Sequence, residues 1–573
     1  MKDLLNGRKL YPHQQRAVDE LLGTQCAAGV YFLNAPTGCG KSIMSVALCA
    51  SAGGSIITTT KALQWQYEAD FPEVALLMGR GNYQCALAHE HEPLEYRIDV
   101  GGVTKLTTVP VVNPCPLDIR PAWTDKEGKA VYPTGPHYDE CAYPEAVRRF
   151  TAARVTVSNF ALHSFRPKEA DCIVVDEAHE LEATMREWGS LRRALDERPI
   201  GGICFLAKRL ASRSAPCKAF LEAARDVQPL SECMSGVDTD EASDAPLAFG
   251  SPMYNGLMRY HASVKAMMGM LAHVQGALLK GNEDPVAAPL ARLEALDKKL
   301  CWVRDVPRNY LASLMSHYST GERELHVTLR NLAPIFKKLF GAYRRVYLVS
   351  ATIVNPGTLC AVLGIRYSDT HSVHMESQFP AANHAIRDIS NNVQVLARTL
   401  HDQVRDWQAG LIDTILDKHA GQRGLVMTAS HEHAELIVRY TKPRSSRRML
   451  LVKSNLVPVQ CALELARDVP DMVYVSSSMH TGVDLPGDLS EFQIIAKIPR
   501  LSPHDPIVKY NRGKFAEWYD DQAAMGVIQR LGRSVRQKTD IVHSYFLDRL
   551  TGPIFRRLPE TMVVRFGAID DMK

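Results

Sequence analysis

A short apolar strand, Val30-Tyr31-Phe32-Leu33, runs into Ala35-Pro36-Thr37-Gly38-Cys39-Gly40-Lys41-Ser42, and an apolar-rich helix follows over 43–50. A strand, a glycine-bearing turn and a helix in this order are the context that a phosphate-binding loop requires. Gly38 and Gly40 permit backbone conformations in which amide N–H groups face an anion, and Thr37 and Cys39 complete the loop. Lys41 supplies a point charge for β- and γ-phosphates, and Ser42 a hydroxyl ligand for Mg²⁺. The helix N-terminus adds favourable partial charge. Ala35 stands where the stricter pattern has glycine. Such a loop commits the chain to an α/β sheet.

The rest of the chain agrees with that commitment. Ser55-Ile56-Ile57-Thr58-Thr59-Thr60, the stretch 154–158, Cys172-Ile173-Val174-Val175 and Val346-Tyr347-Leu348-Val349 read as strands of a first block. Leu425-Val426-Met427, Met472-Val473-Tyr474-Val475 and Gln493-Ile494-Ile495-Ala496 are the clearest strands of a second. Strands separated by helices imply parallel sheets. Between 79 and 144 the prolines at 110, 114, 116, 121, 133, 136 and 144 break regular elements, which reads as an insertion with little core of its own. The stretch 184–315 reads as mainly helical, with an acidic loop at 238–244. A second chemical signal is Val174-Val175-Asp176-Glu177-Ala178-His179. An apolar strand ending in two carboxylates places them at the sheet's C-terminal edge, where open α/β sheets bind ligands. There Asp176 would hold Mg²⁺ through water, and Glu177 would orient or deprotonate an attacking water.

Composition narrows the class without naming it. Over 573 residues, Lys and Arg number 67 and Asp and Glu 63, a net charge of +4. Apolar residues at 46% and charged residues at 23% exclude a largely disordered chain, a collagen-like fibre and a coiled-coil rod. No apolar run is long enough to span a membrane, and the first residues lack the apolar core of a secretory signal, so a soluble, cytoplasmic protein is expected. Near-neutral charge requires any nucleic-acid track to be local. The 13 cysteines are an odd number without a signal peptide, so most are expected as buried free thiols.

The phosphate-binding loop together with Asp-Glu-Ala-His resembles superfamily 2 helicases, and further segments resemble the XPD/DinG group in particular. Tyr11-Pro12-His13-Gln14 is similar to that group's N-terminal segment, and the resemblance implies an adenine contact for Gln14. Thr59-Thr60-Lys61-Ala62-Leu63-Gln64-Trp65-Gln66 resembles its DNA-backbone element, with Thr60 and Lys61 as contacts. Gly79-Arg80-Gly81-Asn82-Tyr83-Gln84-Cys85 is similar to the run that opens its iron–sulfur domain. Val157-Ser158-Asn159-Phe160-Ala161-Leu162 and Val349-Ser350-Ala351-Thr352-Ile353 resemble the segment before the DEAH box and motif III. Thr481-Gly482-Val483-Asp484-Leu485-Pro486-Gly487 resembles motif V, with Asp484 at the nucleotide. Gln529-Arg530-Leu531-Gly532-Arg533-Ser534-Val535-Arg536 resembles motif VI, with Gln529, Arg533 and Arg536 as its catalytic residues. Arg533 and Arg536, at i and i+3, are expected on one helix face, reaching the γ-phosphate together.

The resemblance implies two RecA-like parallel-sheet motor domains that clamp ATP and Mg²⁺. The first would comprise 1–78, 151–184 and 316–385, interrupted by an iron–sulfur-like insertion at 79–150 and a helical arch at 185–315; the second would comprise 386–573. It implies an ATP-dependent helicase moving 5′→3′ on single-stranded DNA and opening forked duplex. An ATP-switched nucleic-acid adaptor or remodeller is the alternative. It also implies a [4Fe–4S] cluster held by four cysteines. Three candidates are present, Cys85, Cys115 and Cys141; Asp118 stands where a fourth cysteine is expected. Three readings stand: a cluster whose fourth ligand is Asp118, His89, His91 or His137; a metal-free remnant; or a Zn²⁺ site of Cys and His. The arginines at 444, 447 and 448 form a basic run suited to DNA or to solvent. Trp65 and Tyr83 are suited to base stacking or to structural packing.

Overall fold

The structure, a computed structural model, describes residues 4–36, 38–79, 82–83, 94–100, 103–109, 123–124, 130–131, 142–195, 218, 230–235, 237, 245–278, 287–316, 323–377, 380–452, 459–466, 468–479, 485, 487–535 and 539–567. Thr37, Asp484 and Arg536 lie outside them. So do Cys85, Cys115 and Cys141, the alternative ligands Asp118, His89, His91 and His137, and the acidic loop at 238–244.

Two seven-stranded sheets, parallel throughout, carry the fold. The first runs in the order His371–His374, Val30–Asn34, Arg345–Ser350, Cys172–Asp176, Gly54–Thr58, Val155–Asn159, Ala75–Leu76. Its central strands are apolar along their length because helices cover both faces. Val30, Phe32, Ile173, Val175, Val346 and Leu348 face one core; Tyr31, Leu33, Cys172, Val174, Tyr347 and Val349 face the other. The second sheet runs Met449–Leu451, Val473–Ser476, Gly424–Met427, Phe492–Ile495, Val542–Phe546, His384–Asp388, Val564–Phe566. Its alternate residues, such as Leu425 and Met427 against Val426, divide between two cores in the same way.

The stretch read as mainly helical contains two long helices, Pro252–Leu278 and Ala287–Asp305. It also contributes strands Leu191–Ala194 and Tyr310–Ser316, which flank Arg323–Leu329 in an antiparallel sheet. Residues 310–314 are all buried, so the strand Tyr310–Ser316 has no polar alternation to betray it. Leu257, Val264, Leu300 and Val303 of the helices share one apolar core with Ile173 and Val175, so the two helices are packed onto the first sheet. Among the described residues no helix is long and apolar enough to cross a membrane.

Four buried histidines make stability depend on pH. Burial pushes His163, His384 and His419 down to about 4 and His433 to about 3. His433 and His419 are also tied up as neutral rings, at 2.9 Å from Gln408 Oε1 and 2.8 Å from the Tyr545 hydroxyl. Each binds its proton in the unfolded chain below about pH 6.5 but not in the folded one. Stability therefore falls as pH drops from about 6.5 toward 4, by up to roughly 1.4 kcal/mol per pH unit for each ring. Melting temperatures measured from pH 7.5 to 5 should drop steeply below pH 6.5; a flat profile there would contradict these burial-driven shifts.

Candidate active site

Three neighbouring strands of the first sheet, Val30–Asn34, Arg345–Ser350 and Cys172–Asp176, deliver their C-terminal ends to one place. The phosphate-binding loop leaves the first of them. Gly38 and Gly40 hold φ of 81° and 79°, left-handed values open to glycine. A Cβ on Gly40 would also push aside the Gln14 amide packed against it. Helix Lys41–Ala52 starts there, with Lys41 and Ser42 in its first turn. Cys39 is 1% exposed and packs in the core, and its N–H donates to the Pro36 carbonyl at 3.2 Å. Gln14, on helix Pro12–Gly23, donates through Nε2 to the Cys39 carbonyl at 2.8 Å and accepts the Tyr11 N–H at 2.9 Å. Its amide thus braces the loop from behind.

Asp176 ends the central strand, and Glu177 follows in the left-handed region at φ 55°, ψ 48°. For a residue with a Cβ this conformation costs about 1–2 kcal/mol. Lys41 Nζ stands 4.0 Å from Glu177 Oε1, and His179 Nδ1 3.3 Å from Oε2. The same His179 nitrogen meets Ser350 Oγ at 2.7 Å, at the end of strand Arg345–Ser350. Ser350 Oγ in turn accepts the Thr352 N–H at 3.1 Å.

The two adjacent carboxylates sit in opposed electrostatic environments. Burial and the neighbouring Glu177 charge raise Asp176 to about 6, against the pull of Lys41. Burial also acts to raise Glu177, but Lys41, His179 and Arg533 outweigh it and hold the carboxyl at about 2. Burial acts to lower His179, yet Glu177 and Glu180 together raise it. Asp176 Oδ2 accepts a 2.9 Å hydrogen bond from the Tyr67 hydroxyl, and burial and the Asp176 charge push that phenol well up. Tyr67 is therefore the buried partner that fixes one oxygen of the carboxylate. Hard oxygen donors around a desolvated carboxylate suit Mg²⁺, and Ser42 and Asp176 are the side chains that could hold it.

The second sheet contributes from the far side. Helix Trp518–Leu531 carries half-buried Gln529 in its last turn and ends at Gly532. Arg533 accordingly lies beyond the helix, not on a helix face three residues from Arg536 as its spacing suggested. Gly532 stops the helix first. Arg533 nevertheless helps to hold the Glu177 carboxyl down, behind Lys41 and His179. Arg530, 4% exposed, donates to the Gly526 carbonyl at 3.2 Å; burial and Arg533 lower its guanidinium to about 10.

Sequence reasoning missed Tyr67, and it also missed a polar junction between the two sheets. Glu182 follows the Asp-Glu-Ala-His segment on helix Leu181–Gly189 and is 5% exposed. Its Oε1 accepts from Arg186 Nε and Nη2 at 3.1 and 2.9 Å and from Asn511 Nδ2 at 2.9 Å. Its Oε2 accepts from Trp518 Nε1 at 2.8 Å and Gln522 Nε2 at 3.4 Å. Asn511, Trp518 and Gln522 belong to the two helices that lead to Arg533. Only the Glu182–Arg186 pair, at i and i+4, was legible in the sequence.

On the outer surface Lys61 and Trp65 are exposed on helix Lys61–Asp70, and the Thr60 hydroxyl caps that helix. Tyr83 is half-buried, its hydroxyl accepting the Met78 N–H at 3.1 Å and its ring packed on Tyr143. Arg444 and Arg447 are exposed. Arg448 instead donates to the carbonyls of Leu416, His419, Gln422 and Asp471 and serves the fold.

The chain is similar to known proteins. A family model described as Helicase C-terminal domain matches residues 412–562. The ATP-dependent DNA helicase YoaA of Escherichia coli is 25% identical over 89% of this chain and 86% of its own length. The ATP-dependent DNA helicase DinG of Photobacterium profundum is 26% identical over 48% of this chain and 39% of its own length. Among solved structures, S. tokodaii Xpd4 aligns over 97% of this chain and 100% of its own, with a TM-score of 0.56 at 14% identity. A structure titled XPD_Helicase aligns over 94% and 96%, with a TM-score of 0.58 at 15% identity. At those identities the structures speak for the fold.

Proposed function

We propose that this chain, an XPD/DinG-like superfamily 2 helicase by fold and motif order, hydrolyses ATP between its two sheets to move 5′→3′ along single-stranded DNA and open forked duplex. The observation that carries the reading is the half-buried chain of contacts from Lys41 through Glu177 and His179 to Ser350. Lys41 is placed for the β- and γ-phosphates, and Glu177, held ionised, can orient water and accept its proton. Arg533 faces the charge that develops on the transferred phosphoryl group. Mg²⁺ held by Ser42 and Asp176 would neutralise phosphate charge when bound.

His179 ties the carboxylate that senses the nucleotide to Ser350. A few residues on, Asn355 Nδ2 donates to Glu517 Oε2 of the second domain at 2.7 Å. Strand contacts fall to Thr60 and Lys61, with Trp65 for stacking and Arg444 and Arg447 on the second domain. An iron–sulfur cluster at Cys85, Cys115 and Cys141 remains part of the proposal, and iron analysis of anaerobically purified protein tests it separately.

Strand displacement on 5′- and 3′-tailed duplexes of DNA and RNA tests the activity. The expected result is ATP-dependent opening of 5′-tailed DNA alone. Hydrolysis without displacement of any duplex would favour the switched adaptor. Absence of nucleic-acid-stimulated hydrolysis would overturn both.

A further inference from the structure

Away from the ATP site, the two arch helices bring three metal-ligating side chains to one point. His261, on helix Pro252–Leu278, is 4% exposed in the seam. Asp297 and Cys301 stand one turn apart on helix Ala287–Asp305, on a common face. His261 Nε2 lies 2.7 Å from Asp297 Oδ1 and 3.7 Å from Cys301 Sγ. Cys301 Sγ lies 3.9 Å from each Asp297 oxygen. All three donor atoms fall within 4.8 Å of one another.

Two ordinary readings leave part of this unexplained. A proton relay needs the imidazole to offer one nitrogen to the carboxylate and the other to the thiol. Here both partners meet the same Nε2. A plain His–Asp hydrogen bond explains the 2.7 Å distance but not why a thiol, a weak donor, closes on the same nitrogen. Convergence on a shared point is the arrangement of ligands around an ion. In a tetrahedral site with bonds of about 2.0–2.3 Å, donors stand roughly 3.3–3.6 Å apart. The sulfur distances already approach that spacing. The carboxylate alone must draw back by about half an ångström, and its side chain, 21% exposed, has room to do so.

We propose that His261, Asp297 and Cys301 form a zinc site that clamps the two arch helices together. Thiolate and imidazole together suit Zn²⁺, whereas Mg²⁺ and Ca²⁺ favour all-oxygen sets. A water on the partly exposed Asp297–Cys301 side would complete four-coordination. On binding, the Cys301 thiol proton is released to solvent and the His261 ring carries its hydrogen on Nδ1, leaving Nε2 to the metal. The site is distinct from the cysteines at 85, 115 and 141, and does not depend on the helicase reading.

Chelator-treated full chain, titrated with Zn²⁺ and with Co²⁺, tests this against Cys301→Ser, His261→Asn and Asp297→Asn. The wild type should bind one equivalent more than each variant. Its cobalt form should show a thiolate-to-metal charge-transfer band that Cys301→Ser lacks. Zn²⁺ should raise the melting temperature of the wild type and not of the variants. Asp297→Asn keeps the shape of the seam and guards against a variant that merely misfolds. Equal stoichiometry and identical cobalt spectra in wild type and variants would overturn the site.

Discussion

Lys41→Ala should abolish DNA-stimulated ATP hydrolysis, with turnover falling by at least about 10²–10³-fold, the range seen when one transition-state donor is lost. The side chain is 13% exposed and stands at the first turn of its helix, outside the apolar cores. Its removal leaves those cores and the glycine geometry of the loop untouched. Glu177 keeps His179 and Arg533 as its remaining positive neighbours, so its carboxyl should rise from about 2 while staying ionised at neutral pH. Asp176 loses the cation that pulls against its burial and should titrate above its present value of about 6. The expected outcome is a protein that melts close to the wild type but releases no phosphate above background. Phosphate release with and without single-stranded DNA, alongside a thermal melt, decides the matter; unchanged turnover would remove Lys41 from the chemistry. Glu177→Gln should separate the steps, retaining nucleotide binding through Lys41 while losing turnover.

What the sequence disclosed follows the physics of burial. Strands covered on both faces, such as Cys172–Asp176 and Gly424–Met427, are continuous apolar runs and stand out at once. The edge strands His371–His374 and Val564–Phe566 are short and largely exposed, and no local pattern marks them. Lys41, Asp176 and Glu177 were legible because each lies in a contiguous segment whose chemistry is local. Tyr67 was not, because its role depends on Asp176, 109 residues away. The misplacement of Arg533 on a helix face was avoidable in principle, since glycine commonly closes a helix and Gly532 precedes it.

The junction around Glu182 is where the largest structural effect is expected. One carboxylate accepts from five donor groups on Arg186, Asn511, Trp518 and Gln522, while Arg186 Nη1 donates to the carbonyls of Leu329 and Arg330 at 2.8 and 3.0 Å. Val508 and Trp518 are buried in the same apolar core as Leu181 and Met185, so the helices approaching Arg533 are seated on the first domain. Glu182→Ala leaves the Arg186 guanidinium buried without its partner, a change that typically costs about 3–5 kcal/mol. Glu182→Gln is not conservative either, because its NH₂ must face a group that only donates. Both variants should loosen this seat while the sheet cores stay intact. Trp518, 4% exposed and bonded through Nε1, should then become wetter, with a red-shifted contribution to the emission. The influence of Arg533 on Glu177 should weaken, so turnover falls while nucleotide affinity through Lys41 is kept. A double-mutant cycle with Trp518→Phe separates the two possibilities. If the seat positions Arg533, the two changes are strongly non-additive in turnover as well as in stability. If it only holds the chain together, coupling appears in the melting temperature and not in kcat.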